Sequence, residues 1–450
     1  MTVKVIVAER KYDCSHLLGQ FLDESHYDIL VEEDCDVYAP PNCDLATQAD
    51  CDVPNDCSSC EQGMDERRII FKFRKNFFSK EQQEQAYIGL REAATETQNR
   101  GAAAGPRGEK LGNREWVTDY EDEMVGYFLK PYENLFGEDP VDEIRRKYKG
   151  KKPDPSNRNN VWSIERTKEI NFNFEEWVEA TRRLPRDEQI KAANYVADKL
   201  ICATTYANSV YSGIAGWFDR YPRIPYGRAT SYTAKNPEKF AMAYPFLQTL
   251  AKGFKDLLPW RYGNQMEAAN KVDPRFLVPG TPFTTITVNK TFRTAAHYDA
   301  GDLNSGLSNL LVLSNDGRFT GGYLIAPEYR VAVNVRPGDL LLINNHEVMH
   351  GNTPIVCEEG SERISLVCYF REKMLELGSW EYENCRYDFV ESRRKNPEHP
   401  MQRKLWNGVS EGMWTSDEWY DYCREKLGEE VLLKYHPESQ KSGSLDEFFA

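Results

Sequence analysis

Thr284-Thr285-Ile286-Thr287-Val288-Asn289, Asn309-Leu310-Leu311-Val312-Leu313 and Leu340-Leu341-Leu342-Ile343 are short apolar, β-branched runs lying close together in the chain. Gly322–Ile325, Val331–Val335 and Ile364–Phe370 repeat the pattern. Turn chemistry separates the runs at Gly301, Asn315-Asp316-Gly317, Ala326-Pro327 and Pro337-Gly338. Short strands spaced in this way predict an antiparallel sandwich or barrel.

Polar residues with a shared chemistry sit between those strands. His297-Tyr298-Asp299 follows the first run, His350 comes 51 residues after Asp299, and Arg363 lies 13 residues further on. Two imidazoles and one carboxylate make the facial triad of a non-haem Fe(II) oxygenase, which leaves iron positions open for a chelating co-substrate and O₂. His-x-Asp alone is a weak signal. The chain has only seven histidines, however, and two of them fall at the required places in one strand-rich block. Arg363 would set a planar, permanently charged fork where the distal carboxylate of 2-oxoglutarate must be held.

A second motif overlaps the first. His346-Glu347-Val348-Met349-His350 reads as His-Glu-x-x-His, the zinc-protease signature. That chemistry needs both imidazoles on one helical face. Here a strand-like run precedes the motif, and Gly351-Asn352-Thr353-Pro354 would stop any helix after one turn. The motif is read as accidental.

Outward from this block, 450 residues are ample for a large core. No N-terminal apolar run has signal-peptide length and none approaches a membrane span. Eleven cysteines without a secretion signal favour reduced thiols and an intracellular setting, cytoplasm or nucleus. Residues 1–66 are acidic and hold six of those cysteines, including Cys57-Ser58-Ser59-Cys60, which has zinc-knuckle spacing but no second pair at finger distance. They read as a loosely folded acidic appendage. Residues 67–260 read as mainly helical: Ser79 and Gln82 form a capping box for a helix to about Gln98, further helices run from about Glu175 to Arg183 and from Asp187 to Tyr211, and Asn236-Pro237 opens another reaching about Leu257. Residues 261–375 carry the strands, and 376–450 a helical extension. The whole is an α+β protein with helices buttressing the strand block.

The ordered set Phe283–Lys290, His297-x-Asp299, Asp299-Ala300-Gly301-Asp302, Gly321-Gly322-Tyr323-Leu324, Pro337-Gly338-Asp339, His350-Gly351-Asn352 and Arg363–Tyr369 resembles the TET/JBP branch of Fe(II)/2-oxoglutarate dioxygenases. Upstream, Gly216–Pro222 and Asn236–Phe240 resemble its algal and viral members, so the likeness covers roughly Ser209–Met374. The resemblance implies a double-stranded β-helix (jelly-roll, cupin-like) core with Fe(II), 2-oxoglutarate and O₂. His297, Asp299 and His350 would ligate iron. Arg363 and Ser365 would hold 2-oxoglutarate. Tyr369 would stack on a flipped base and Asp302 would read its edge, a carboxylate accepting from the cytosine N4 amino group. Where the TET pattern has a base-contacting histidine, this chain has Arg371, which can only donate.

The implied activity is hydroxylation of the methyl group of 5-methylcytosine in DNA, the base leaving the duplex to reach the barrel mouth. Thymine as substrate, ascorbate in place of 2-oxoglutarate as in algal members, and a silent DNA-binding module are the alternatives. The net charge of −14 argues against a generic basic DNA binder. Local basic stretches at Arg67–Lys80, residues 145–168 and Arg393–Lys404 can still meet phosphates. No membrane and no protein partner is expected.

Overall fold

The structure is a computed structural model and describes residues 3–40, 66–97, 100–106, 208–220, 224–395 and 416–442. It divides into one unit made of Met1–Thr97, Ser209–Glu391 and Ser410–Ala450, and another made of Gln98–Asn208 and Ser392–Val409. In the second unit a single turn spans Gly101–Ala104, and the Asn208 amide donates to the Ala104 and Pro106 carbonyls, each at 2.8 Å. The chemistry lies in the first unit.

Its N-terminal part supplies β1 (Lys4–Val7), β2 (Ile29–Val31), β3 (Cys35–Tyr38), β4 (Ile69–Arg74), β5 (Thr95–Thr97), β6 (Val210–Phe218) and β7 (Arg228–Ala229). The strand-rich block follows as β8 (Thr285–Lys290), β9 (Ser308–Ser314), β10 (Phe319–Gly321), β11 (Leu324–Ala326), β12 (Val331–Val333), β13 (Leu340–Ile343), β14 (Gly351–Asn352), β15 (Ile355–Cys357) and β16 (Arg363–Tyr369). The long sheet runs β1-β3-β4-β13-β9-β16-β8-β6-β5, a second sheet runs β14-β11-β12-β2, and β10 pairs with β15. This is a double-stranded β-helix core with added helices, an α+β fold.

Side-chain alternation shows which faces are covered. On β9, Leu311 and Leu313 join a core shared with the helices, whereas Leu310 and Val312 join a core shared with the second sheet. On β13, Leu340 and Leu342 face the helices, and Leu341 and Ile343 face Leu324, Ala326, Val331 and Val333 across the barrel. Both faces are buried, so these strands read as unbroken apolar runs rather than alternating ones. The helical layer is α1 (Lys80–Leu90), α2 (Ser231–Lys235), α3 (Pro237–Met242), α4 (Tyr244–Leu257) and α5 (Pro259–Ala269). Phe246, Leu247, Leu250, Ala251 and Phe254 form one buried stripe on α4. Each large apolar side chain buried there contributes ~1.5–3 kcal/mol. A separate cluster, with Tyr382, Phe389, Trp419 and Leu432, joins α6 (Trp380–Lys395), α7 (Ser416–Leu427) and α8 (Glu429–Tyr435).

Several expectations change. Residues 3–40 are no loose appendage: β3 pairs antiparallel with β4, β1 pairs parallel with β3, and β2 pairs parallel with β12. Their Cys14 and Cys35 are buried free thiols, while Cys43, Cys51, Cys57 and Cys60 lie outside the described residues. The described part of 67–260 contributes four strands as well as helices, so it belongs partly to the barrel wall. The capping box at Ser79 and Gln82 is present, but α1 ends at Leu90. Thr95 and Thr97, β-branched, pair instead with Ser212 and Val210. A helix was expected up to Tyr211, yet β6 begins at Val210; the rest of that helix, the one at 175–183, the basic cluster at 145–168 and the basic run beyond Lys395 lie outside the described residues.

Candidate metal and substrate site

Backbone pairing at the barrel mouth brings His297, Asp299 and His350 together. His297 N–H donates to the His350 carbonyl at 2.9 Å, and His350 N–H returns the bond at 3.0 Å. Asp299 N–H donates to the Asn345 carbonyl at 3.0 Å. One Asp299 oxygen lies 3.3 Å from His297 Nε2, and the other 4.0 Å from His350 Nε2. One ligand atom from each residue lies within 4.8 Å of the others, the span a single metal ion can bridge.

The ring orientations suit ligation. Each imidazole places Nδ1 on a backbone carbonyl, His297 on Ala295 at 2.8 Å and His350 on Val348 at 3.0 Å. An Nδ1–H donating there leaves the Nε2 lone pair for a metal, the usual way such histidines are oriented. Burial pushes His350 down to about 4, so it is neutral and ready to ligate. Burial also disfavours charge on Asp299 and His297. Their mutual hydrogen bond, their charge attraction and the further hydrogen bonds from neighbouring groups together outweigh it, holding Asp299 below the carboxylate range and raising His297. A divalent metal would displace that shared proton. Asn345 steadies the carboxylate, its Nδ2 donating to Asp299 at 3.0 Å.

His346-Glu347-Val348-Met349-His350 is not helical. β13 ends at Ile343, and His346 turns its Nδ1 to the Asp299 carbonyl at 3.2 Å. Glu347 accepts from the Asn344 amide and lies 3.8 Å from Arg261. Two imidazoles four residues apart therefore fail to share a face.

β16 sets the direction of the site. Ile364, Leu366 and Cys368 face the helices, so Arg363, Ser365, Val367 and Tyr369 share the barrel-interior face. Arg363 and Tyr369 are six residues apart, about 20 Å along a strand. Arg363 is 2% exposed, lies 5.9 Å from the Phe319 ring and reaches the Gly322 carbonyl at 3.4 Å, while its Nε has no hydrogen-bond partner. Burial pushes its pKa down to about 10, so it stays cationic at neutral pH. A buried, under-paired cation is costly unless an anion meets it. The dicarboxylate 2-oxoglutarate fits that requirement. Gly321 and Gly322 shape the cradle. Both have positive φ, a Cβ at Gly321 would fall 1.9 Å from the Pro354 carbonyl, and one at Gly322 would fall 3.1 Å from Arg363 Nε.

At the other end, Asp302, Ser308, Asn344, Asn345, His346 and Tyr369 line a small, partly open cleft. Ser308 Oγ donates to Asp302 at 2.5 Å. Burial first, and the nearby Asp299 charge second, raise the Asp302 carboxyl well above its ordinary range. Asp302 and Arg371 form an isolated β-bridge. The Arg371 guanidinium lies over the Phe218 ring at 4.1 Å and donates through Nε to Asp219 at 2.5 Å. Arg371 thus reaches the site already anchored, with part of its donor set engaged.

Sequence reading missed Asn345, Phe319 and Asp219. Asn344-Asn345 at the end of an apolar strand was the available signal for the first. Asp219 is 152 residues from Arg371, and no local pattern joins them.

Residues 213–372 match the family profile described as the oxygenase domain of the 2OGFeDO superfamily, Tet_JBP. The chain is 33% identical over 179 residues to thymine dioxygenase JBP1 of Leishmania braziliensis, a match covering 38% of this chain and 21% of that protein. It is 36% identical over 167 residues to bifunctional helicase and thymine dioxygenase JBP2 of Leishmania infantum, covering 36% and 15%. It therefore spans about a fifth or less of the length of these relatives. Among solved structures, NgTET1 in complex with 5mC DNA is similar at 16% identity and a TM-score of 0.33, covering 52% of this chain and 78% of that one.

Proposed function

From a chain whose residues 213–372 carry the oxygenase domain of the 2OGFeDO superfamily, which uses Fe(II), 2-oxoglutarate and O₂, we propose an enzyme that hydroxylates the 5-methyl group of a pyrimidine in DNA. The observations that support this are a buried Arg363 with an orphaned Nε at one end of β16, the clustered His297, Asp299 and His350, and a cleft lined by Asp302 and Tyr369 at the other end of β16. His297, Asp299 and His350 would hold the metal by Nε2 and carboxylate oxygen. Arg363, with Ser365 beside it, would hold the far carboxylate of 2-oxoglutarate. Tyr369 would support the extruded base and Asp302 its polar edge, so that the methyl group faces the metal. When bound, iron and co-substrate supply the oxidising power; the protein orients the methyl group and keeps water out.

The choice of base follows from Asp302 and from the relatives. An ionised Asp302 would favour 5-methylcytosine, whose N4 amino group donates. Burial favours the neutral carboxyl, which donates as well as accepts and so pairs with either base. The relatives named as thymine dioxygenases favour thymine. We place thymine first and 5-methylcytosine second. DNA as substrate implies a compartment that holds DNA, and no helix among the described residues is long and apolar enough to cross a membrane. The test is nucleoside mass spectrometry of paired duplexes, one with 5-methylcytosine and one with thymine at the same position, incubated with protein, Fe(II) and 2-oxoglutarate. A 5-hydroxymethyl product from either supports the reading, and their ratio assigns the base. Full turnover with ascorbate in place of 2-oxoglutarate would replace the co-substrate assignment, and no product from either duplex would favour a silent module.

A further inference from the structure

The segments bearing the three metal-ligand candidates meet at a buried carboxylate outside the ligand set. Glu328 is 4% exposed. Its Oε1 accepts from the Tyr298 hydroxyl at 3.0 Å and lies 3.3 Å from Lys11 Nζ, and its Oε2 accepts from the Met349 N–H at 2.7 Å. Tyr298 stands between His297 and Asp299, and Met349 immediately precedes His350. A single side chain therefore ties the two ligand-bearing segments to each other.

The N-terminal segment closes around the same point. Tyr12 N–H donates to the Glu328 carbonyl at 2.8 Å. Gly19 N–H donates to the Ala296 carbonyl, and Ala296 N–H to the Gln20 carbonyl, both at 2.8 Å. Cys14 and Leu22 pack with Ala296, Ile325, Ala332 and Met349 in one buried cluster. Residues 11–22 lie some 190 positions before the matched oxygenase region, yet they form backbone bonds one residue from His297.

We propose that Glu328 is a positioning residue for the His297–Asp299–His350 centre, and that residues 11–22 brace it from outside the oxygenase region. The inference rests on the reading of that triad as the metal site. A carboxylate is suited to the task because it is acceptor-only and has lone pairs enough for a phenol, a backbone amide and an ammonium at once. Without it, the buried Met349 N–H loses its partner and the Tyr298 phenol loses its anchor. The two segments could then part by the few tenths of an ångström that metal geometry does not tolerate.

The test is anaerobic Co(II) titration of the full chain, with the Co(II) absorption bands as a second readout and a thermal melt of each metal-free variant. Glu328→Ala should weaken Co(II) binding by about 10- to 100-fold, the range for loss of a residue that orients metal ligands, and should alter the absorption bands. Glu328→Gln keeps an acceptor for Met349 N–H and should recover most of the affinity. Unchanged affinity and bands in a folded Glu328→Ala protein would overturn the proposal. If that variant does not fold, Tyr298→Phe decides. It removes one hydroxyl from a residue that is 40% exposed, and it should weaken binding by a few-fold; affinity equal to wild type would overturn the proposal. Wild-type protein that binds Co(II) no better than His297→Ala would instead refute the metal-site reading on which the proposal stands.

Discussion

Replacing Arg363 by methionine should move stability and co-substrate binding in different directions. Arg363 is 2% exposed, its Nε is unpartnered, and its guanidinium makes a long 3.4 Å contact to the Gly322 carbonyl. Without a bound carboxylate the fold bears the desolvation of a cation that is scarcely compensated. Methionine is of roughly similar volume, apolar and flexible enough to fill most of the space, and such replacements of buried charge are often neutral or stabilising. With 2-oxoglutarate bound, the same guanidinium gains a charge-assisted fork to a carboxylate, worth ~1.5–3 kcal/mol. Its loss should raise the 2-oxoglutarate dissociation constant by about 10- to 150-fold. The assay is calorimetric titration of the metal-loaded protein with 2-oxoglutarate, beside melts with and without the co-substrate. Wild type should melt higher when 2-oxoglutarate is added, because only the native state binds it. Arg363→Met should melt no lower than wild type when free, and should gain little from the co-substrate. A variant that melts several degrees lower yet binds 2-oxoglutarate normally would show that Arg363 is a structural cation, and would remove it from the co-substrate site.

Three further outcomes are expected. His297→Ala, Asp299→Ala or His350→Ala should abolish both metal binding and turnover while the protein stays folded, whereas His346→Ala should retain the metal, since its ring points to a backbone carbonyl; equilibrium metal binding separates the two classes. Tyr369→Ala should weaken binding of thymine and 5-methylcytosine duplexes alike by ~1–3 kcal/mol, because stacking is indifferent to the base, and competition binding with paired oligonucleotides measures it. Asp302→Asn should change the rate ratio between the two bases if the side chain reads the edge, and leave it unchanged if Asp302 only orders the loop beside Ser308. The same variant carries a pH signature. Burial raises the Asp302 pKa in the fold, so its protonated form supports the fold at low pH and that support is lost as pH rises through the folded value. Metal-free Asp302→Asn should therefore gain on wild type in thermal melts as pH rises from about 4 to about 8, and the difference should level off above that.

Parts of this architecture were legible from residue patterns and parts were not, for physical reasons. β9, β13 and β16 are buried on both faces, so their apolar runs stand out from any background. The polar positions that interrupt β16, Arg363 and Ser365, stand out for the same reason. The N-terminal strands were hidden. β1 is mostly exposed, β2 and β3 are three and four residues long, and their partners β12 and β4 lie far off in sequence. An acidic, cysteine-rich surrounding then suggested a loose segment where there are sheet strands. The same limit applies to the site. His-x-Asp and the distant His350 form a pattern of residue types, but Asp219 on Arg371 and Glu328 between Tyr298 and Met349 are pairings of folded space alone. The choice of base has the weakest sequence signal, because it depends on the charge of Asp302, and burial, which raises that group, is a property of the fold.

The most direct test of the central claim is isotopic. The protein, with Fe(II) and 2-oxoglutarate under ¹⁸O₂, is given duplexes carrying thymine or 5-methylcytosine, and succinate and nucleosides are analysed by mass spectrometry. In a coupled dioxygenase reaction, 2-oxoglutarate loses CO₂, one oxygen atom enters succinate, and the other enters the methyl C–H bond as hydroxyl. Labelled succinate formed together with a labelled 5-hydroxymethyl pyrimidine is the expected result. Labelled succinate without any modified base would place the substrate elsewhere than DNA, and succinate carrying no label would contradict the dioxygenase chemistry itself.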